Sequence, residues 1–117
     1  MNELPQGSVI LVDVSYSGQA GSKLRPALVV SNTANNQTSR DIVVAKITSK
    51  KPKFWGVRLN NEDLAAGSLD YVSYVQVDAR YSLEKLIVRT VIGMVCPEKI
   101  QEIKEQIADL LAINRKE

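Results

Sequence analysis

Histidine is absent from this 117-residue chain, and cysteine occurs once, at Cys96. Without imidazole there is no Ser-His-Asp triad, no Cys-His dyad, no histidine-ligated zinc enzyme and no two-histidine ribonuclease. A single cysteine excludes an internal disulfide framework and a cysteine-cluster zinc site. Aromatic residues make up only 5% of the chain, with one Phe and one Trp among them. No apolar run approaches the ~20 residues that a bilayer span needs, and no basic-then-apolar segment opens the chain. A cytoplasmic protein with no membrane partner is therefore expected. The glycines at Gly18 and Gly21 are not followed by Lys-Ser/Thr and open no helix, so they are not a phosphate loop. Asp13, Asp41, Asp78 and Glu84 are scattered, and no spacing pairs them as acid and base. Neither a metal site nor a cofactor is expected.

What remains is an ordinary globular composition, 44% hydrophobic and 24% charged, of a length that makes one domain over residues 1–117. The formal net charge is only +2, but it is unevenly spread. Between Lys23 and Arg58 there are eight basic residues and the single acid Asp41, a net +7 that leaves −5 for the rest. A one-sided field of this kind attracts polyanions, although a solvated lysine-rich face is an equally good reading of charge alone.

Short apolar runs punctuated by Gly, Asn, Ser and Pro predict strands at Val9–Val14, Pro26–Ser31, Asp41–Ser49, Trp55–Leu59, Tyr71–Val77 and Ile87–Val95. Proline suits the first residue of the second strand, where no ladder donor is needed. Tyr16–Leu24 and Asn32–Arg40 read as loops, the first of them mobile. Helical turns are expected to start at Asn61 and Ser82. The period then changes: Ile100, Ile103, Ile107, Leu110 and Leu111 fall at helical spacing, with Pro97 suited to the first helical position. A helix over Pro97–Ile113 should lay that stripe on the strands. The fold class is mainly β with a C-terminal helix, a small barrel or sandwich.

With histidine, metal and cofactor set aside, electrostatic chemistry on a phosphate is left: arginine, lysine and hydroxyl groups can hold a phosphate and stabilise extra negative charge on it. RNA suits such a site because it carries its own nucleophile, the 2′-hydroxyl. The candidate parts are Arg25, fixed by Pro26 after it, and Thr48 and Ser49 at the end of the third strand, followed by Lys50, Lys51 and Lys53. Phe54 and Trp55 come directly after those lysines. Basic residues beside aromatics make a single-stranded nucleic-acid surface, charge for the backbone and rings for the bases. Each residue also has a plain structural reading. Arg25 suits a surface ion pair, Thr48 is a good strand former, and Phe54 and Trp55 suit a core short of bulky anchors.

The runs Gly7-Ser8-Val9-Ile10-Leu11-Val12-Asp13, Lys23-Leu24-Arg25-Pro26-Ala27-Leu28-Val29-Val30-Ser31-Asn32 and Ile42-Val43-Val44-Ala45-Lys46-Ile47-Thr48-Ser49 together resemble the MazF/PemK family of toxin–antitoxin ribonucleases. The likeness continues through Gly67-Ser68-Leu69, Ser73 to Asp78 and Ile92-Gly93-Met94-Val95. It implies an SH3-like small barrel of the MazF/PemK/CcdB type acting as a homodimer. It also implies metal-independent cleavage of single-stranded RNA at short motifs, and neutralisation by a cognate antitoxin whose acidic, disordered segment covers the RNA groove. The family's catalytic arginine and threonine fall on Arg25 and Thr48, and its mobile loop on Tyr16–Leu24. Lys23, Ser49, Lys50, Lys51, Lys53, Phe54 and Trp55 are the candidate RNA-binding residues. Where the family often has acid, Gln, apolar, basic after the fifth strand, this chain has Asp78-Ala79-Arg80-Tyr81. Two other functions fit the same architecture: a gyrase poison like the CcdB toxins, and a non-catalytic module holding RNA or an acidic peptide. The CcdB group typically ends in Trp-Gly-Ile, whereas this sequence ends Asn114-Arg115-Lys116-Glu117.

Overall fold

The computed structural model describes residues 4–15 and 22–113. Seven strands, β1 (Ser8–Ser15), β2 (Ser22–Val29), β3 (Asp41–Thr48), β4 (Gly56–Leu59), β5 (Leu64–Gly67), β6 (Ser73–Glu84) and β7 (Val88–Val95), form one sheet in the order β4-β6-β3-β2-β1-β7-β5. Every pairing is antiparallel. Irregularities in the β1–β7 and β3–β6 ladders bend the sheet into a curled half-barrel. Two helices accompany it, α1 (Thr33–Thr38) and α2 (Pro97–Leu110).

Strand alternation puts a core on each face. On one face Val9, Leu28, Ala45, Ile47, Val57 and Val75 are buried under α2, which contributes Ile103 with Ile100 and Ile107 beside it. On the other face Ile10, Val12, Ala27, Val29, Ile42 and Val44 are closed over by Leu83 of β6, with Val88 of β7 against them. The curl is what gives this second face a partner, since among the described residues no helical side chain joins its core.

Several sequence expectations change. β2 begins at Ser22, so Lys23, Leu24 and Arg25 belong to a strand, and Pro26 lies inside that strand opposite Leu11. The rest of the expected mobile loop, 16–21, lies outside the described residues. The expected loop Asn32–Arg40 contains α1. Its N-cap is Asn32, whose side chain accepts from the Asn35 N–H at 2.7 Å. Buried Asn36 holds α1 in place: its amide donates to Leu4 O (2.7 Å) and Ser31 O (3.0 Å), and its Oδ1 accepts from Ser31 Oγ (2.6 Å). A polar, six-residue helix has no apolar period to betray it. β5 was not anticipated; it is too short and too exposed to alternate.

β6 starts two residues later than the expected Tyr71–Val77 and ends seven residues later, past Ser82, at Glu84; the helical turn sits instead at Lys85–Ile87, while the one at Asn61 is present. α2 stops at Leu110 because Ala112 takes a left-handed φ of 54°. Ile113 N–H then reaches Ala108 O at 3.0 Å and Ala112 N–H reaches Asp109 O at 3.1 Å, a Schellman ending. Leu111 therefore leaves the stripe and is exposed.

Candidate nucleic-acid interface

The face that carries the second core changes character along β3. Ile42 and Val44 are buried, Lys46 is exposed and Thr48 is half-buried. All four point the same way, because alternate residues of a strand share a face. Across the ladder Lys46 pairs with Gln76 and Thr48 with Tyr74. The apolar floor thus becomes a polar one within two residues.

The lysine loop after β3 stands over this floor. Thr48, Lys50, Lys51, Lys53, Phe54 and Trp55 line an open groove of about 400 Å³, together with Lys46, Gln76, Asp78 and Pro52. Four lysines therefore face one carboxylate, Asp78. The Lys50 N–H donates to Thr48 Oγ1 at 3.1 Å. That bond occupies one lone pair and leaves the hydroxyl proton available to a ligand oxygen.

The two rings separate. Phe54 is 74% exposed, as a stacking surface would be. Trp55 is half-buried, lines the groove and packs on the core beneath α2. Its φ of 62° is costly for a bulky residue, of order 1–3 kcal/mol. Its carbonyl accepts the Val77 N–H at 2.9 Å.

That bond belongs to a wide bulge. Ala45 pairs with Arg80 and the next residue, Lys46, with Gln76, so Val77, Asp78 and Ala79 have no partners on β3. Trp55 O satisfies the Val77 N–H, and Arg80 Nε donates to Val77 O at 2.9 Å. Asp78-Ala79-Arg80-Tyr81 is therefore not a turn after a finished strand. It is the bulge and its return inside β6, with Arg80 holding backbone and Asp78 turned to the groove.

Arg25, Lys23 and Ser49 are exposed and lie outside the groove's lining. The β2–β3 ladder ends at Ala27↔Lys46, so Arg25 on β2 and Thr48 on β3 each lie two residues beyond its last pair. Arg25 pairs with Val12 of β1, a residue of the second core, which puts it on the same face of the sheet as that core. Sequence reading missed Lys46, Gln76, Asp78 and Pro52. Lys46 was within sight, two positions before Thr48 on the same strand; Gln76 and Asp78 needed the β3–β6 register and its bulge. Among the described residues no group of three His, Cys, Asp or Glu side chains is arranged to hold a metal ion, and no helix is long and apolar enough to cross a membrane.

Residues 5–111 match the family described as PemK-like, MazF-like toxin of type II toxin–antitoxin system. No curated protein matches the chain. Among solved structures, an endoribonuclease in complex with its cognate antitoxin from a Mycobacterial species is 26% identical, with a TM-score of 0.77 over 99% of this chain and 100% of that one. A second Mycobacterial endoribonuclease is 24% identical, with a TM-score of 0.79 over 99% of this chain and 98% of that one. A MazE–MazF structure from Deinococcus radiodurans is 20% identical, with a TM-score of 0.80 over 97% of this chain and all of that one.

Proposed function

Because this chain belongs to the PemK-like, MazF-like toxins of type II toxin–antitoxin systems, we propose that it is an endoribonuclease toxin that cuts single-stranded RNA in the cytoplasm at short sequence motifs without a metal. The observation that carries this reading is the half-buried Thr48 hydroxyl, oriented by the Lys50 N–H, in a groove lined by four lysines. Such a groove binds the backbone by charge and concentrates donors where a phosphate would sit.

The RNA's 2′-hydroxyl attacks the adjacent phosphorus, the bond to the 5′-oxygen breaks, and a cyclic phosphate remains. Thr48 donates to a non-bridging oxygen. Arg25 clamps the phosphate through its guanidinium fork and hydrogen-bonds the departing 5′-oxygen, which takes its proton from water. Asp78 is the one carboxylate lining the groove among the described residues and accepts the 2′-hydroxyl proton. Lys23, Ser49, Lys50, Lys51 and Lys53 hold flanking phosphates, and Phe54 and Trp55 take bases. DNA, without the 2′-hydroxyl, is bound but not cut.

The toxin works as a homodimer, which the 90% exposure of Leu86 beside exposed Ile87 supports. A cognate antitoxin silences it by laying an acidic, disordered segment into the lysine-lined groove; one similar structure is itself an antitoxin complex. The deciding assay incubates the protein with a broad pool of single-stranded RNA in chelator, beside the all-DNA equivalents. RNA is expected to be cut and DNA spared. Salt-sensitive RNA binding with no cutting of any sequence would instead leave only a binding module.

A further inference from the structure

The floor of the groove does not stop at the lysine loop. Arg58 of β4 pairs with Tyr74 of β6, and Tyr74 pairs with Thr48 of β3. Directly opposed residues project to one face, so guanidinium, phenol and hydroxyl form a single row across three strands. β4 is the sheet edge, and the row ends there with Arg58 exposed.

A second depression, of about 200 Å³, lies at this end. It is lined by Lys51, Pro52, Gly56, Arg58 and Tyr74. Lys51 and Pro52 also line the groove beside Thr48, so the two spaces share a wall. The wall depends on Gly56: a Cβ there would fall 2.9 Å from Pro52 Cγ, so only glycine lets the proline lie on the strand. No acidic residue lines the depression, and neither Arg58 nor Lys51 is in an ion pair among the described residues. Two cations without counter-ions, a half-buried phenol ring and a proline ring are the complement of one nucleotide. The cations suit its phosphate, and the rings suit its base.

We propose that this depression is a second nucleotide subsite, in which Arg58 and Lys51 hold a phosphate flanking the scissile one and Tyr74 packs on the attached base. The proposal rests on the endoribonuclease reading and extends it. Two strand spacings separate Arg58 from Thr48, about 10 Å, so the phosphate held at Arg58 is not the one that is cut. Binding remote from the reacting bond, equal in ground and transition states, changes KM and leaves kcat alone.

The test compares the wild-type chain with Arg58→Ala and Tyr74→Leu, on a cleavable oligoribonucleotide and on versions shortened from either end. Arg58→Ala should raise KM about tenfold on the long substrate, with kcat within twofold. The penalty should vanish on one of the two shortened substrates. The dependence of log KM on log salt should flatten by about 0.7, the share of one phosphate on a single strand. Tyr74→Leu should raise KM without changing that slope. An unchanged KM and slope for Arg58→Ala overturns the subsite, as does a fall in kcat at unchanged KM. Should the wild-type chain cut no RNA, the endoribonuclease reading fails separately. Anisotropy with a 2′-O-methyl oligonucleotide then still decides: weaker binding by Arg58→Ala supports the subsite, and equal binding overturns it. A loss confined to an oligoglutamate peptide, with RNA binding intact, also overturns it in favour of a protein ligand.

Discussion

One face of the sheet has two halves, one apolar and covered, the other polar and open. In the first, Ile42, Val44, Ala27 and Val29 are buried beneath the returning ends of β6 and β7. In the second, Lys46, Thr48 and Arg25 continue the same alternation as polar residues, Lys46 and Thr48 lining the open groove under the lysine loop. The strands keep one geometry throughout, and the bulge at Val77–Ala79 is where β6 turns from one half to the other. If the proposed function holds, stability and activity draw on the same strands of this face through different residues. Substitutions in the apolar half should cost folding, and those in the polar half should cost activity.

The sharpest way to break that separation is Arg25→Ala. Cleavage should fall at least about a thousandfold, some 4 kcal/mol of barrier, with no change in Tm, because Arg25 is exposed. Retained cutting, or a lowered Tm, would merge the two halves. Next in size, Ile42→Ala should lower stability by roughly 3 kcal/mol in denaturant melts, through the cavity left at a fully buried site. Its folded fraction should cleave at the wild-type rate. Thr48→Val should then cost about 10- to 100-fold in kcat, and Thr48→Ser should restore most of it, since the Lys50 N–H needs only a hydroxyl oxygen. Full activity in Thr48→Val would return that residue to a mere strand former. The smallest effect lies outside both halves. Ala112→Gly relieves a left-handed alanine at the end of α2 and should add up to about 1 kcal/mol of stability without altering cleavage.

Much of the architecture was legible beforehand because strands and α2 carry strong periods. Val9–Val14 and Asp41–Ser49 fall within a residue of β1 and β3, and Ile100, Ile103 and Ile107 meet the core as expected. The misses have local physical causes. α1 is nucleated by a side-chain cap and the Asn36 hydrogen bonds rather than by apolar spacing. β6 runs through Ala79-Arg80-Tyr81 because Trp55 and Arg80 satisfy the backbone of its bulge. Leu111 falls off the stripe because α2 ends one turn early in a Schellman geometry. For the site, Thr48, the lysines and the Phe54–Trp55 pair were visible as a contiguous run. Lys46 was within reach, two positions before Thr48 on the same strand, whereas Gln76 and Asp78 were hidden because nothing in residue order says that β3 and β6 are neighbours.

Composition alone settled which chemistries are out of reach: a chain without histidine and with one cysteine has no imidazole catalysis and no disulfide frame. Local order alone settled most of the strands, since alternation and helical period are properties of neighbouring residues. Which cations share a surface was decided only in three dimensions. Antiparallel pairing puts Arg58, Tyr74 and Thr48 in one row although they lie far apart in sequence, and a bulge brings Asp78 to the same groove. Register depends on contacts between distant segments, and no pattern within either segment encodes it.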